Sequence, residues 1–169
     1  MPSLRRPHNG AALDFGEQMF LISLATGVHR MPVSVASMQD GAGLLFICNG
    51  DVTAKDLLDA KDRLLETPNR LRECRFAIVD LVLASSLQLS ADEVRKIADR
   101  DRDLAVITRP GLPVAVLAPT DVAYGLARMW EVFVENTGWE TIIFKIRKEG
   151  EDWVRQKASA LYGEYGALR

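Results

Sequence analysis

The segment VAVLAPTDVAYGLARMWEVF (Val114–Phe133) decides how the rest of the chain is read. Val114 to Ala118 are all apolar and lie between Pro113 and Pro119, which suits a strand covered on both faces. From about Thr120 the apolar spacing becomes helical. Projection at ~100° per residue gathers Val122, Leu126, Met129, Trp130, Phe133 and Val134 in one sector, predicted to face the sheet. Tyr124, Arg128, Glu131 and Glu135 fall on the opposite side, so Tyr124 and Arg128 are expected as solvent-directed neighbours. Gly125 borders the apolar sector, where glycine costs about 1 kcal/mol relative to alanine unless something packs against its backbone.

Three readings of this helix stand side by side. In the first, Gly125 admits a bulky neighbour from the same chain, and Tyr124 and Arg128 are merely exposed. In the second, Tyr124, Gly125, Arg128 and Glu131 form a homodimer or partner surface, since tyrosine and arginine are enriched at such surfaces. In the third, Thr120 and Asp121 hold a small anionic or lipid-like ligand at the helix start, where free amides point outward. Asp121 opposes an anion there by its own charge.

Outward from this segment, Val33 to Met38 alternates weakly like an edge strand, Asp40-Gly41 supplies turn chemistry, and Leu44 to Asn49 reads as a buried strand. These two strands are expected to form a hairpin. Thr53 opens a helix in which Ala54, Leu57, Leu58, Lys61, Leu64 and Leu65 recur at helical spacing, with Pro68 at its exit. Phe76 to Leu81 is a further buried strand, expected to give way to a loop. SADEVRKIADRDRD then has an inner stripe of only Val94, Ile97 and Ala98, and Asp99 to Asp103 reads as a solvated face with local ion pairs. Residues 104 to 112 fit either a short extra strand or a helix end and loop. Thr141 to Ile146 is a strand near the sheet's rim, and a last helix from about Glu149 turns Trp153, Val154, Ala158 and Leu161 inward.

The resulting order, ββαβαβαβα, predicts a single α/β domain with a mixed, mostly parallel five-stranded sheet and about four helices. Residues 31–162 form that domain, preceded by an extension over 1–30 and followed by a tail over 163–169. The extension contains MFLISLATGV (Met19–Val28), which after Arg5 and Arg6 has the length of a secretory signal core and keeps secretion via residues 1–27 as the alternative, but Asp14 and Glu17 cancel that charge and the cleavage pattern at Ala25-Thr26-Gly27 is loose. Met31 reads as a natural chain start, and the cytoplasm is the expected location.

Composition narrows the function. The chain has 169 residues, 48% hydrophobic and 26% charged, enough for one ordinary core. Its formal net charge is −2, so it lacks the broad basic field that nucleic acid requires. No apolar run approaches the ~18 residues of a membrane span. Cys48 and Cys74 have neither disulfide-framework nor zinc-site spacing, and no cofactor motif occurs. His8 and His29 are the only histidines and both precede the domain, which removes the usual general base and any histidine-based metal site. Gly41-Ala42-Gly43 is a turn, and Cys48 sits in a buried run. Asp51, Asp80 and Asp121 lie near strand ends, where open α/β sheets bind ligands, but each has a simpler role in a turn or cap. A carboxylate-dependent hydrolase is the weaker alternative on that ground.

The element order, with LFICNGDVTAKDLLDAKDRLLE, AIVDL, LQLSADEVRKIA, VAVLAPTDVAYGLARMW and TIIFKI in sequence, resembles the STAS domain, specifically its SpoIIAA-like bacterial branch. The resemblance spans about Met31 to Val154, and its most specific part is the strand-Ala-Pro-Thr-Asp-helix segment with YGLARM. It implies a switchable binding module in signalling, not a catalyst, and in some members control by phosphorylation of a serine at a helix start. Ser90 falls at the corresponding position, within QLSADE where those members read Asp-Ser-Ser-Gly. Ser90 and Glu93 also have the spacing of a capping box. The expectation is therefore a non-enzymatic regulatory module that presents a helix surface to a protein partner, as a homodimer. A carrier or sensor of a small hydrophobic or anionic ligand, held between helix and sheet, is the alternative.

Overall fold

β1 (Val33–Met38) turns through a single 3-10 turn into β2 (Gly43–Thr53), and the two pair antiparallel from Val33 opposite Cys48 to Met38 opposite Gly43. In this computed structural model, residues 31–163 are described. The extension expected over 1–30 and the tail beyond Gly163 lie outside the described residues. β2 then pairs parallel with β3 (Phe76–Gln88), β3 with β4 (Pro113–Leu117) and β4 with β5 (Glu140–Phe144), in the spatial order β1-β2-β3-β4-β5. The class is α/β and the five-stranded sheet is mixed, with the hairpin at one rim.

Five helices accompany the sheet: α1 (Ala54–Leu65), α2 (Pro68–Glu73), α3 (Ala91–Ile107), α4 (Asp121–Val134) and α5 (Arg147–Tyr162). The short α2 adds one helix to the expected order. Pro68 does end α1, but it also opens α2, because proline's fixed φ suits a first helical position. Residues 104 to 112 resolve as the end of α3 and a loop.

The three parallel crossovers all step in one direction across the sheet, so right-handed connections carry α1, α3 and α4 to the same face. Leu44, Phe46, Ala77, Leu81, Val114, Val116 and Ile143 point to that face and bury against Leu57, Leu64, Ile97, Leu104, Ala123 and Ala127. The alternate residues Leu45, Ile47, Ile78, Ala115 and Leu117 point the other way, where Val154 and Ala158 of α5 cover them. Leu161, expected inside, is 51% exposed, whereas its neighbour Tyr162 packs partly against this cluster. Gly43 leaves room for the Phe76 ring, which comes within 2.1 Å of where a Cβ would stand.

β3 continues to Gln88 where a loop is expected after Leu81. It stays paired with β2 as far as Thr53 opposite Gln88, through two register irregularities, whereas β4 has already ended opposite Asp80. Val82 and Leu83, just beyond that point, are 39% and 44% exposed.

Candidate functional site

The helix face of the sheet carries the molecule's unusual chemistry. Lys61 falls on the inner stripe of α1, as its spacing predicts, and its ammonium meets Asp101 Oδ1 of α3 at 2.5 Å. Asp101 belongs to the run expected to face solvent, yet it is 1% exposed. The correction has a physical cause: Asp101 lies one turn beyond Ile97 and Ala98, on the inner stripe that Leu104 continues, so α3 must bury it to bury them. The Trp130 indole N–H of α4 donates to the other carboxylate oxygen at 2.7 Å, and the ammonium stands 5.1 Å from the Phe46 ring centroid. Three helices thus share one buried polar node. The remainder of the run behaves as read, with Arg102 paired to Asp99 and Arg100 to Asp103.

Two cavities flank this node. The outer one, about 80 Å³, opens between α1, α3, α4 and the far end of β3, and Leu57, Leu81, Leu87, Val94, Leu126 and Trp130 line it. The inner one, about 30 Å³, lies among Phe46, Leu64, Thr108 and Trp139. Lys61, Val79 and Trp130 belong to both walls.

α4 is rolled by about a quarter turn from the expected orientation. Ala123, Ala127 and Val134 form its buried strip, while Leu126, Trp130 and Phe133 are half-buried at one side. The alanines decide this, since only small side chains let the helix axis approach the sheet closely. Val122 and Met129, expected inside, are 66% and 37% exposed, and Val132 is 61% exposed. Tyr124, expected to face solvent, packs partly against the core with Lys145 Nζ 5.2 Å from its ring centroid. Arg128 is exposed as read and pairs with Glu131, which is half-buried and accepts from Thr141 of β5. Gly125 is exposed, and a Cβ there would meet nothing within 4 Å, so no bulky neighbour accounts for it.

The remaining candidates have separate partners. Thr120 caps α4, its hydroxyl accepting from the Ala123 amide at 3.2 Å. Asp121 is fully exposed and takes a 2.7 Å hydrogen bond from Lys145, whose ammonium holds its carboxyl below the usual value. Ser90 caps α3 in a complete capping box with Glu93. Its backbone N–H and hydroxyl both donate to the Glu93 carboxylate, at 2.8 and 2.9 Å, and hold that carboxyl below its ordinary range. Asp51 accepts from Ser86 across the β2–β3 pair at 2.8 Å.

Asp80 is 3% exposed where β4 ends beside β3; it accepts from the Val82 amide at 2.9 Å and from Arg147 at 2.5 Å. Arg147 also faces Glu151 at 3.5 Å, forming an acid-arginine-acid clasp between α5 and the sheet that sequence reading did not find. Sixty-seven positions separate Asp80 from Arg147, so no local spacing announces it. Burial pushes the Glu151 carboxyl up from 4.5, Arg147 opposes that rise, and Asp80 adds to it. Cys48 and Cys74 are buried, and burial pushes both thiols up to about 12, which leaves them un-ionised and unreactive.

Among the described residues no group of three or more His, Cys, Asp or Glu side chains is arranged to hold a metal ion, and no helix is long and apolar enough to cross a membrane. Comparisons with protein-family models, with curated proteins and with solved structures return no match to this chain.

Proposed function

We propose that this chain is a non-enzymatic regulatory module of the STAS kind, working in the cytoplasm by offering the outer face of α4 to a protein partner. The observation that carries the reading is the apolar stripe Val122, Gly125, Met129 and Val132, spaced three and four residues apart on the solvent side of a helix whose other side is buried. Exposed apolar side chains in a row are a partner surface more often than scattered single ones. The α/β architecture, with β1 antiparallel at one rim and a helix opening at Ala-Pro-Thr-Asp, agrees with the STAS resemblance.

The stripe also bears on the partner. Two valines, a methionine and a glycine cover far less than the ~800 Å² per partner of a standard stable interface. Engagement through α4 alone is therefore transient. A homodimer built on α4 needs further apolar surface, and Val82 and Leu83 are the exposed large apolar side chains of the sheet among the described residues.

The test is co-purification of tagged protein from its own cells in three forms: wild type, Val122→Asp with Val132→Asp, and Val106→Asp as control. Val106 is 88% exposed on α3, away from the stripe. A partner retained by wild type and Val106→Asp but lost from the α4 variant supports the reading. The same set of proteins on all three overturns it. Light scattering of the same purified forms reports whether that partner is a second copy.

A further inference from the structure

The outer cavity has a composition the core does not explain. Around its rim and walls stand leucines from three elements, Leu57 of α1, Leu81 and Leu87 of β3 and Leu126 of α4, with Leu89 just after β3. One charged residue lines it, Lys61, and 94% of that residue is buried, since its exposure is 6%. An ammonium has three N–H donors. Among the described residues, this one makes a single hydrogen bond, to Asp101, and otherwise lies over the Phe46 ring. A well-packed core leaves no apolar hollow open to solvent, and Lys61 keeps N–H donors beyond the one that Asp101 accepts.

We propose that this cavity is a binding site for a small uncharged molecule with a short branched or cyclic apolar end and one hydrogen-bond-accepting oxygen, which Lys61 reads. The apolar walls specify the end group. A cavity of 80 Å³ is about half the ~150 Å³ that holds a benzene ring, so it takes about three to five carbons while the rest of the ligand stays outside. The charge requirement follows from the ion pair. Lys61 is already neutralised by Asp101 at 2.5 Å, so a carboxylate would add an uncompensated negative charge beside Asp101 in an apolar wall. A ketone, ester, amide or hydroxyl oxygen accepts from the spare donor without that penalty. Trp130 keeps the node aligned: its indole occupies the second Asp101 oxygen, leaving the carboxylate no freedom to rotate toward the ligand.

This site is independent of the α4 stripe, because Val122 and Val132 do not line the cavity. Its test uses three molecules with one branched tail: 4-methylpentan-2-one, 4-methylpentanoate and 2-methylpentane. Each is titrated into isotope-labelled protein while NMR follows the leucine methyls and the Trp130 indole N–H. The expected result is saturable shifts at Leu57, Leu126 and Trp130, with the ketone binding about tenfold tighter than either of the others, as one charge-assisted hydrogen bond provides. Leu126→Trp, which fills the hollow from a half-buried position, is expected to abolish the shifts with the fold retained. Carboxylate or hydrocarbon binding as tightly as the ketone overturns the assignment. So does a ketone that fails to bind, or one whose shifts survive in Leu126→Trp.

Discussion

Lys61 and Asp101, forty positions apart, meet in a 2.5 Å ion pair whose side chains are 8% and 2% exposed. The pair ties α1 to α3, and through the indole of Trp130 it also ties in α4. A buried pair of this kind stabilises little against an apolar replacement, but removing one member leaves the other charge stranded.

Lys61→Met is therefore expected to destabilise the protein by about 3–5 kcal/mol, the cost of a buried carboxylate without its cation. Adding Asp101→Asn to it keeps an acceptor for Trp130 and is expected to restore most of that loss. Urea unfolding of both variants checks this, and equal destabilisation of the single and double variants would refute the account.

Two glycines predict opposite signs. Gly125→Ala places a Cβ in open space on a helix and is expected to stabilise by about 1 kcal/mol. Gly43→Ala puts a Cβ into the Phe76 ring and is expected to destabilise by about 1–3 kcal/mol. Denaturant midpoints at unchanged m-value measure both.

Glu151 links stability to pH. Its carboxyl binds a proton more readily in the folded chain than in the unfolded one, since burial raises it above 4.5. Between those two values the folded state carries the extra proton, so stability falls as pH rises through the window. Glu151→Gln mimics the protonated form. It is expected to raise Tm at pH 7 and to lose that advantage as pH drops below about 4.5. A gain that does not change with pH would show that the carboxyl titrates normally.

Ser90→Ala is expected to cost about 1 kcal/mol by removing a helix cap. Phosphorylation of Ser90 would do more harm than that, because the phosphate would stand against a Glu93 carboxylate held ionised 2.9 Å from the hydroxyl. Thermal melts of wild type, Ser90→Ala and Ser90→Asp are expected to show the aspartate variant below wild type, since it still accepts from the Glu93 amide but sets a second negative charge against the Glu93 carboxylate. An aspartate variant clearly more stable than wild type would reopen this serine as a phosphate acceptor.

Much of the architecture was readable from local pattern. Runs such as Leu44 to Asn49 and Val114 to Ala118 have no polar face to offer solvent, and α1 advertises Lys61 on its apolar stripe. The failures share one origin. Projection put Val122 and Met129 in the inward sector and left Ala123 and Ala127 out of it, so it could not see that these alanines bring the helix close and roll Val122 and Met129 out. Asp101 looked solvated because its partner lies on another helix.

Periodicity and punctuation thus determined the α/β class, the hairpin at the rim, most strand positions and three helix starts, because these depend on residues within a few positions of one another. Only the tertiary structure decided the roll of α4, the reach of β3 to Gln88, the Asp80–Arg147–Glu151 clasp and the Lys61–Asp101 pair. The clasp and the pair depend on which distant side chain arrives within about 3 Å, where hydrogen bonding and charge pairing act, while the roll of α4 and the reach of β3 depend on how closely an element packs or pairs with a neighbour far off in sequence. No local spacing encodes such an encounter.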